Sequence, residues 1–328
     1  MANQSSMSTT GSDVQFSAGK ALNVLLDYGM VLALVVVLVI AAIVYPGIFS
    51  LANVQNMFGQ SAPVGIVAVG MTFVILAGGL DFSVGAIFAL SAVIYAMTAD
   101  TLGLWGAAGA VLLASLAAGV VNGVVINYLK VSPFVATLGT GSTYGGLAYI
   151  ISNNAPQSPM NFNYDYLGIS RWFGWPISAW MMVAIFIIGG FVLARTIYGQ
   201  AVYAIGGNQE ASRLSGLPVS AINGSTYVIS AVCAGLGGMI LSSRLGVGQA
   251  DMGGTVSLDA IAVVVIGGTS LLGGEGTMWR TAIGLAILAV LTNVFDSLAV
   301  STSYQLVIKG LIVVAAVAFD VYARRRRG

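Results

Sequence analysis

RTIYGQAVYAIGGNQEASRLSGLPVS, Arg195 to Ser220, is the longest polar interruption on one side of a chain that otherwise reads as membrane. Its inner part has the grammar of a short helix. Asn208 can cap the backbone N–H groups that follow, Gln209 to Ser215 tolerate a helix, Gly216 suits the left-handed stop position, and Pro218 prevents continuation. Glu210 and Arg213 are three residues apart and share a face. Residues this polar between two apolar spans belong in water or against a partner protein. The stretch therefore reads either as an ordinary solvated loop helix or as a docking element.

The rest of the chain sets that stretch in its context. Of 328 residues, 58% are hydrophobic and 7% charged, against roughly 25% charged in an average soluble domain. A bilayer crossing takes about 20 mostly apolar residues, so this length supplies about ten crossings with short connections. The net charge of +1 gives no overall field that would select nucleic acid. The absence of His removes the commonest general base, metal ligand and pH switch. Cys233 is the single cysteine, so no intrachain disulfide can form, and its apolar setting assigns it to packing.

Apolar runs place spans at 28–45, 60–77, 83–99, 104–128, 133–151, 178–195, 222–243, 258–274, 280–299 and 303–322. The expectation is an all-α membrane protein of about ten transmembrane helices in one domain, 28–322. A polar, Ser-rich tail, 1–27, precedes it as a disordered cytoplasmic segment, and a basic tail, 323–328, follows. No small-residue cleavage site ends the Met30–Val44 run, so the first span is retained rather than removed as a signal peptide. All seven prolines fall at span ends or in connections, Pro63 included.

Orientation follows from Lys and Arg. With the N-terminus cytoplasmic, Lys20, Lys130, Arg195, Arg213, Arg280 and Arg324 to Arg327 are inside, nine positive charges against Arg171 and Arg244 outside. An even span count then puts both termini in the cytoplasm, with the loop 196–221 on the same side and the largest outer loop at 152–177. The aromatics Trp172, Phe173 and Trp175 of that outer loop mark the membrane interface or receive a soluble partner. The four-arginine tail reads as an orientation signal and lipid headgroup anchor.

Asp296 and Lys309, near the facing ends of the last two spans, are expected to form an ion pair. Gly119/Gly123 and Gly141/Gly145 are GxxxG spacings that let helices approach closely. AGGLDFSVGA, 77–86, sets Asp81 between two apolar runs, where it caps the helix beginning at Ser83 or lines a polar pathway. IGGTSLLGGEGTMWR, 266–280, is a glycine-rich break and inner loop. No G-x-x-x-x-G-K-[ST] occurs in the chain, so it has no Walker A site of its own. Without His, with one Cys and with few carboxylates, no hydrolase triad or metal centre can be assembled, and an enzyme is not expected.

VGMTFVILAGGLDFSVGAIFAL (69–90), AIGGNQEASRLSGLPV (204–219) and LDAIAVVVIGGTSLLGGEGTMWRTAIG (258–284) together carry a resemblance. The chain resembles the ribose-type permease subunits of bacterial ABC importers, the group that includes arabinose, xylose and galactose permeases, in the same order from about Tyr28 to Asp320. The resemblance implies a type II ABC importer-like permease fold in the bacterial inner membrane. It implies three partners: a second copy of the permease, a cytoplasmic ABC ATPase that carries the ATP and Mg, and a periplasmic sugar-binding protein. It also implies that Asn208–Gly216 is the coupling helix that docks onto the ATPase; on such a helix Glu210 and Arg213 are expected to make polar contacts with the ATPase, and Ala211 and Leu214 to pack into its groove.

A monosaccharide has many hydroxyls and no charge, so its conduit needs scattered amides and hydroxyls. Thr72, Asp81, Asn122, Thr137, Asn293 and Gln305 are the candidates, each equally able to bond to a neighbouring helix. Two alternatives stay open at this point: the same architecture with another cargo, such as a branched-chain amino acid or a sugar-like signal, and a stand-alone secondary carrier.

Overall fold

The computed structural model describes residues 18–325, with backbone alone for 18–28, 316 and 319–325. Twelve helices follow in order: α1 (Ala18–Val44), α2 (Leu51–Leu76), α3 (Val84–Asn127), α4 (Pro133–Ile151), α5 (Tyr166–Ile169), α6 (Ile177–Arg195), α7 (Ile197–Gly207), α8 (Gln209–Leu214), α9 (Val219–Leu245), α10 (Val256–Ile266), α11 (Met278–Ser297) and α12 (Thr302–Arg325). Among the described residues α2, α3, α6, α9 and α11 are long and apolar enough to cross a membrane, and shorter apolar helices lie at Gly29–Val44, Val256–Ile266 and Thr302–Ala315.

The expected spans 83–99 and 104–128 are both inside α3, which is interrupted at Gly103 (φ 68°, ψ 175°). A straight helix of 44 residues would be about 66 Å long. Ser83, before its start, instead accepts a 2.7 Å hydrogen bond from Asn122 near its end. The helix must therefore fold back at Gly103, and residues 83 and 122 are nearly equidistant from that break. Glycine is needed there because the positive φ is open to it without a Cβ penalty.

α2 lies at the centre, packed against α6, α9, α10 and α11, while α9 packs most extensively against the folded α3. Gly119 of α3 sits where a Cβ would stand 2.6 Å from the Cα of Val228, and Gly123 faces Gly224. This GxxxG is thus a backbone-to-backbone seam between α3 and α9. The second spacing is looser. Gly141 approaches Ser83, but a Cβ on Gly145 would meet only Ala86 at 3.9 Å.

Four sequence expectations are corrected. α1 begins at Ala18, so the polar segment 1–27 is helical over its last part; residues 1–17 and Arg326 to Gly328 lie outside the described residues. α2 begins at Leu51 because the Ser50 side chain caps it, and Pro63 therefore falls inside the helix rather than at its end. The outer loop 152–177 is not wholly irregular and the fold is not purely helical. Arg171–Trp172 (β1) pairs with Trp175–Pro176 (β2) in a two-stranded hairpin, turning at Phe173 and Gly174, both with positive φ. The fourth correction concerns Asp296 and Lys309 and belongs with the site.

The hairpin loop is tied down at several points. Arg171 donates to Gln55 (2.9 Å) and Asn56 (3.3 Å), and Asp100 accepts the backbone N–H groups of Met160 and Asn161. The 19-residue α6, about 28 Å long, runs from this hairpin end of the bundle to the other end, where α7 and α8 lie.

Candidate functional site: a capped helix over a glycine junction

α8 forms where the sequence grammar placed it. The Asn208 side chain accepts from the N–H of Ala211 at 2.9 Å, supplying one of the partners that a helix start lacks. At the other end Leu217 N–H reaches Ser212 C=O (3.1 Å) and Gly216 N–H reaches Arg213 C=O (3.1 Å), with Gly216 at φ +85°. This is the double stop of a glycine-terminated helix.

Arg213 grips Glu210 with both Nε (3.0 Å) and Nη2 (2.6 Å). The hydrogen bonds from Arg213 hold the Glu210 carboxyl below its ordinary value, and the same bonds raise the guanidinium. Both groups are fully solvated, so the pair organises the surface more than it stabilises the fold. Ser212 faces inward while Ala211 is exposed and Leu214 stands 76% exposed. α8 thus presents a preformed ion pair beside an apolar knob.

What lies behind α8 follows from α7. Thr196 caps α7 by accepting from Gly199 N–H (3.1 Å). Tyr198 bonds Ser225 of α9 at 2.7 Å, and Tyr203 donates to the Gly276 carbonyl at 2.9 Å. α7 is therefore a clamped helix.

The end of α7 meets two other glycine-rich turns. α2 and α10 stop in the same way. Gly78 and Gly79 N–H bond to Ile75 and Val74 C=O, Gly268 and Thr269 N–H bond to Val265 and Val264 C=O, and φ is +81° at Gly78 and +79° at Gly268. Beyond α10 the chain loops back so that Gly274 N–H donates to Leu76 C=O at 2.9 Å. Gly206 fits into this corner because it has no side chain: a Cβ there would land on the Leu76 carbonyl oxygen and stand 2.6 Å from Gly274 N. A Cβ on Gly273 would be 2.9 Å from Gly78. Three backbone segments, 76–79, 206–207 and 273–274, meet directly two residues before α8 begins. Motion of α8 therefore has a stiff route to the ends of the central helix α2 and of α10. The two glycine motifs, noticed in the sequence separately, become legible as one junction only when the fold brings them together.

The interior polar residues are joined in separate groups. Asp81, fully buried, accepts from Ser83 N–H (3.0 Å) and Ser83 Oγ (2.6 Å). Ser83 takes a bond from Asn122, and Asn122 accepts from Tyr144 at 3.4 Å. Asp81 thus closes the entry to α3 and, through Asn122, ties α3 to α4. Thr72 bonds Ala68 C=O and Thr281 across to α11 (3.0 Å), while Thr137 bonds back to Pro133 C=O (2.8 Å). Asn293 exchanges two amide bonds with Asn53 of α2, at 2.9 and 3.0 Å. Gln305 donates to Asp296 (3.0 Å) and to Val300 C=O (3.0 Å).

The expected Asp296–Lys309 pair is replaced. Asp296 is taken by Gln305 and by Gln60 (3.3 Å), and Lys309 reaches Asp259 of α10 at 3.8 Å. Gln305 occupies the first turn of α12, where the chain leaves α11. Lys309 stands one turn further along and reaches α10. Asp259 lies inside the expected span 258–274, where an ionisable group calls for a partner, and Lys309 supplies it. Gln60, Asp259, Thr292 and Lys309, together with apolar residues such as Val64, Val263 and Leu288, line a cleft of about 110 Å³ between α2, α10, α11 and α12. Among the described residues no cluster of His, Cys, Asp and Glu could hold a metal ion.

Comparison with known proteins gives consistent results. A family model described as branched-chain amino acid transport system / permease component matches residues 53–317. The ribose import permease protein of Bacillus subtilis is 39% identical over 303 residues, covering 89% of this chain and 92% of that protein. The ribose import permease protein of Haemophilus influenzae is 36% identical, covering 91% and 94%. The L-arabinose transport system permease protein of Escherichia coli is 36% identical over 327 residues, covering 98% and 99%. No solved structure matches the chain.

Proposed function

The chain belongs to the permease-component family of branched-chain amino acid transport systems, and we propose that it is the membrane-spanning subunit of an ABC importer for a monosaccharide such as ribose or arabinose. Relatives named for ribose and arabinose match about nine-tenths or more of the chain, and these support the cargo. The observation that carries the mechanism is α8: a short helix capped at both ends, exposing Leu214 beside the Glu210–Arg213 pair, and seated over a glycine junction.

In this reading α8 is the coupling helix. A partner ATPase binds it from the cytoplasm, Leu214 and Ala211 enter its groove, and Glu210 and Arg213 frame the contact as one rigid pair. ATP and Mg belong to that partner, since the chain has no Walker A sequence. Closure of the ATPases moves α8 as a lever, and the junction passes the motion to α2, α10 and α11, a packed two-state element of the kind that switching requires.

Counting α3 as two limbs and α10 as a short crossing gives ten passages with both termini cytoplasmic, in the bacterial inner membrane. The excess of Lys and Arg on the α8 side supports that orientation. The hairpin end then faces the periplasm, where Met160, Phe162 and Phe173 stand 90%, 100% and 94% exposed, a surface suited to a sugar-binding protein. Two copies of the permease form the conduit between them. The cleft of Gln60, Asp259, Thr292 and Lys309, adjoined by Asp296 and Gln305, supplies its hydroxyl-matching groups, while Thr72, Asp81, Asn122 and Asn293 hold helices together and Thr137 bonds only within α4.

The test is reconstitution. The permease in vesicles with its ATPase and binding protein accumulates labelled ribose or arabinose only when ATP is present on the ATPase side. Uptake by the chain alone down an ion gradient would establish a secondary carrier instead, and ATP-driven uptake of leucine in preference to either sugar would assign the other cargo of the family.

A further inference from the structure

α10 is too short to cross a membrane by itself. Its 11 residues, Val256–Ile266, rise about 16 Å, half of a hydrocarbon core about 30 Å thick. Its far end is fixed at the α8 side of the bundle, where a Cβ on Gly267 would fall on the Arg280 carbonyl oxygen and Gly268 turns the chain toward the glycine junction. Its start therefore lies near the middle of the membrane, and the chain must cover the outer half without a helix.

α9 ends at Leu245, and residues 246–255 make that descent as a run of turns. Gly248 is tied to the outer loop, where it exchanges two backbone hydrogen bonds with Gln157, each 2.9 Å. A Cβ on Gly248 would fall on the Ala92 carbonyl oxygen, and one on Gly253 on the Gly85 carbonyl oxygen. Those contacts are about 10 Å apart along the axis of α3. Ser257 then fastens the start of α10: its hydroxyl donates to Phe82 C=O and accepts from Gly85 N–H, both at 3.0 Å.

Irregular backbone at membrane depth persists only where protein buries it or where it lines water. One side of the segment is buried, with Gly248 and Gly253 pressed against α3. The other side is open. Asp251, Gly254 and Thr255 are exposed, and among the described residues the Asp251 carboxylate has neither a hydrogen-bond nor an ion-pair partner. A bare carboxylate against lipid is costly, so this side meets water. It is also continuous with the cleft, since Thr255 Oγ1 donates to Asp259 Oδ2 at 3.1 Å and Asp259 reaches Lys309.

We propose that residues 249–255 are a non-helical half-crossing that walls the water-filled conduit down to the membrane midplane, with Asp251 as a contact for the passing sugar. The two carboxylate oxygens of Asp251 can accept from two neighbouring hydroxyls of a monosaccharide. The sugar contact rests on the importer reading, whereas the water-lined wall does not.

Thiol reactivity tests the wall. Gly254→Cys and Thr255→Cys are made one at a time in a Cys233→Ala background, and the full chain is placed in lipid nanodiscs, whose two faces are both open to water. A Cβ on Gly254 would meet only the Asp251 carbonyl, at 3.5 Å, so that variant adds its thiol without a clash. A cationic methanethiosulfonate, which reacts with a thiolate in water, is expected to label both positions. Labelling by lipid-soluble N-phenylmaleimide alone means that the segment faces lipid, and labelling by neither means that protein, such as a second copy, covers it. Either result overturns the proposal. Uptake tests the contact. In the complete reconstituted importer Asp251→Ala is expected to lower sugar uptake per ATP hydrolysed by about tenfold, the scale of one hydrogen bond to a charged group, and Asp251→Asn, which keeps one acceptor, to restore part of it. Parental uptake by Asp251→Ala overturns the sugar contact even where both thiols react. A parent complex without ATP-driven sugar uptake counts against the importer reading and takes the sugar contact with it, while the labelling still decides the wall.

Discussion

Gly206 and Gly207 are neighbours with opposite surroundings, and the difference is a test of the junction. A Cβ on Gly206 meets the Leu76 carbonyl, whereas one on Gly207 meets nothing within 4 Å. Gly206→Ala is expected to cost about 1–3 kcal/mol in thermal unfolding, the range for overpacking, and to lower ATP-driven uptake more than it lowers ATP hydrolysis. Gly207→Ala should leave both near the parent. The Asn53–Asn293 amide pair makes a second residue-level prediction. Asn293→Ala should destabilise by about 1 kcal/mol, in the range of hydrogen bonds between membrane helices. Asn53→Ala added to it should cost less than the sum of the single changes, because the bond is already gone. Matching unfolding midpoints for parent and Asn293→Ala would mean that the pair contributes nothing.

At the scale of elements, the two GxxxG spacings look alike in sequence and differ in the fold. Gly119→Ala drives a methyl into Val228 Cα across the α3–α9 seam and should destabilise by about 1–3 kcal/mol. Gly145→Ala adds only an ordinary contact to Ala86 and should stabilise by up to about 1 kcal/mol through helix propensity. Opposite shifts of the melting temperature check the pair. α8 was readable from sequence because capping is local: Asn208, Gly216 and Pro218 state a start and a stop within a few residues. The fold-back of α3 was half readable, as two spans, but nothing local marks Gly103 as the reversal rather than a tolerated helix glycine. The partners of Asp296 and Lys309 were not readable, since the competing groups Gln60 and Asp259 come from α2 and α10. Spacing along one hairpin cannot rank partners that only the tertiary fold brings near. Pro63 falls inside α2 for a related reason: in the sequence the polar residues Asn53 to Asn56 suit a connection before span 60–77, whereas Arg171 and Asn293 satisfy them within the bundle.

For the whole molecule, membrane character follows from composition alone, and the family follows from three long motifs in order. The proposed path by which energy reaches the conduit does not, because it runs through backbone contacts between segments about 70 to 200 residues apart that carry no side-chain pattern. Orientation can be tested with single cysteines in a Cys233→Ala background. Phe162→Cys, at a fully exposed position, should react in intact cells with a reagent that cannot cross the inner membrane. Gln209→Cys should react only after the cells are opened, and the reverse pattern would invert the topology. The central claim is that α8 receives the ATPase and drives transport through the junction. The most direct measurement compares ATP-driven uptake and ATP hydrolysis in the reconstituted complex for the parent and for Glu210→Ala, Arg213→Ala, Leu214→Ala combined. The account predicts that the triple variant folds, loses copurification with the ATPase by at least about tenfold through removal of an exposed apolar anchor and its framing pair, and loses uptake in proportion. A triple variant that still binds the ATPase and transports at the parental rate would contradict it.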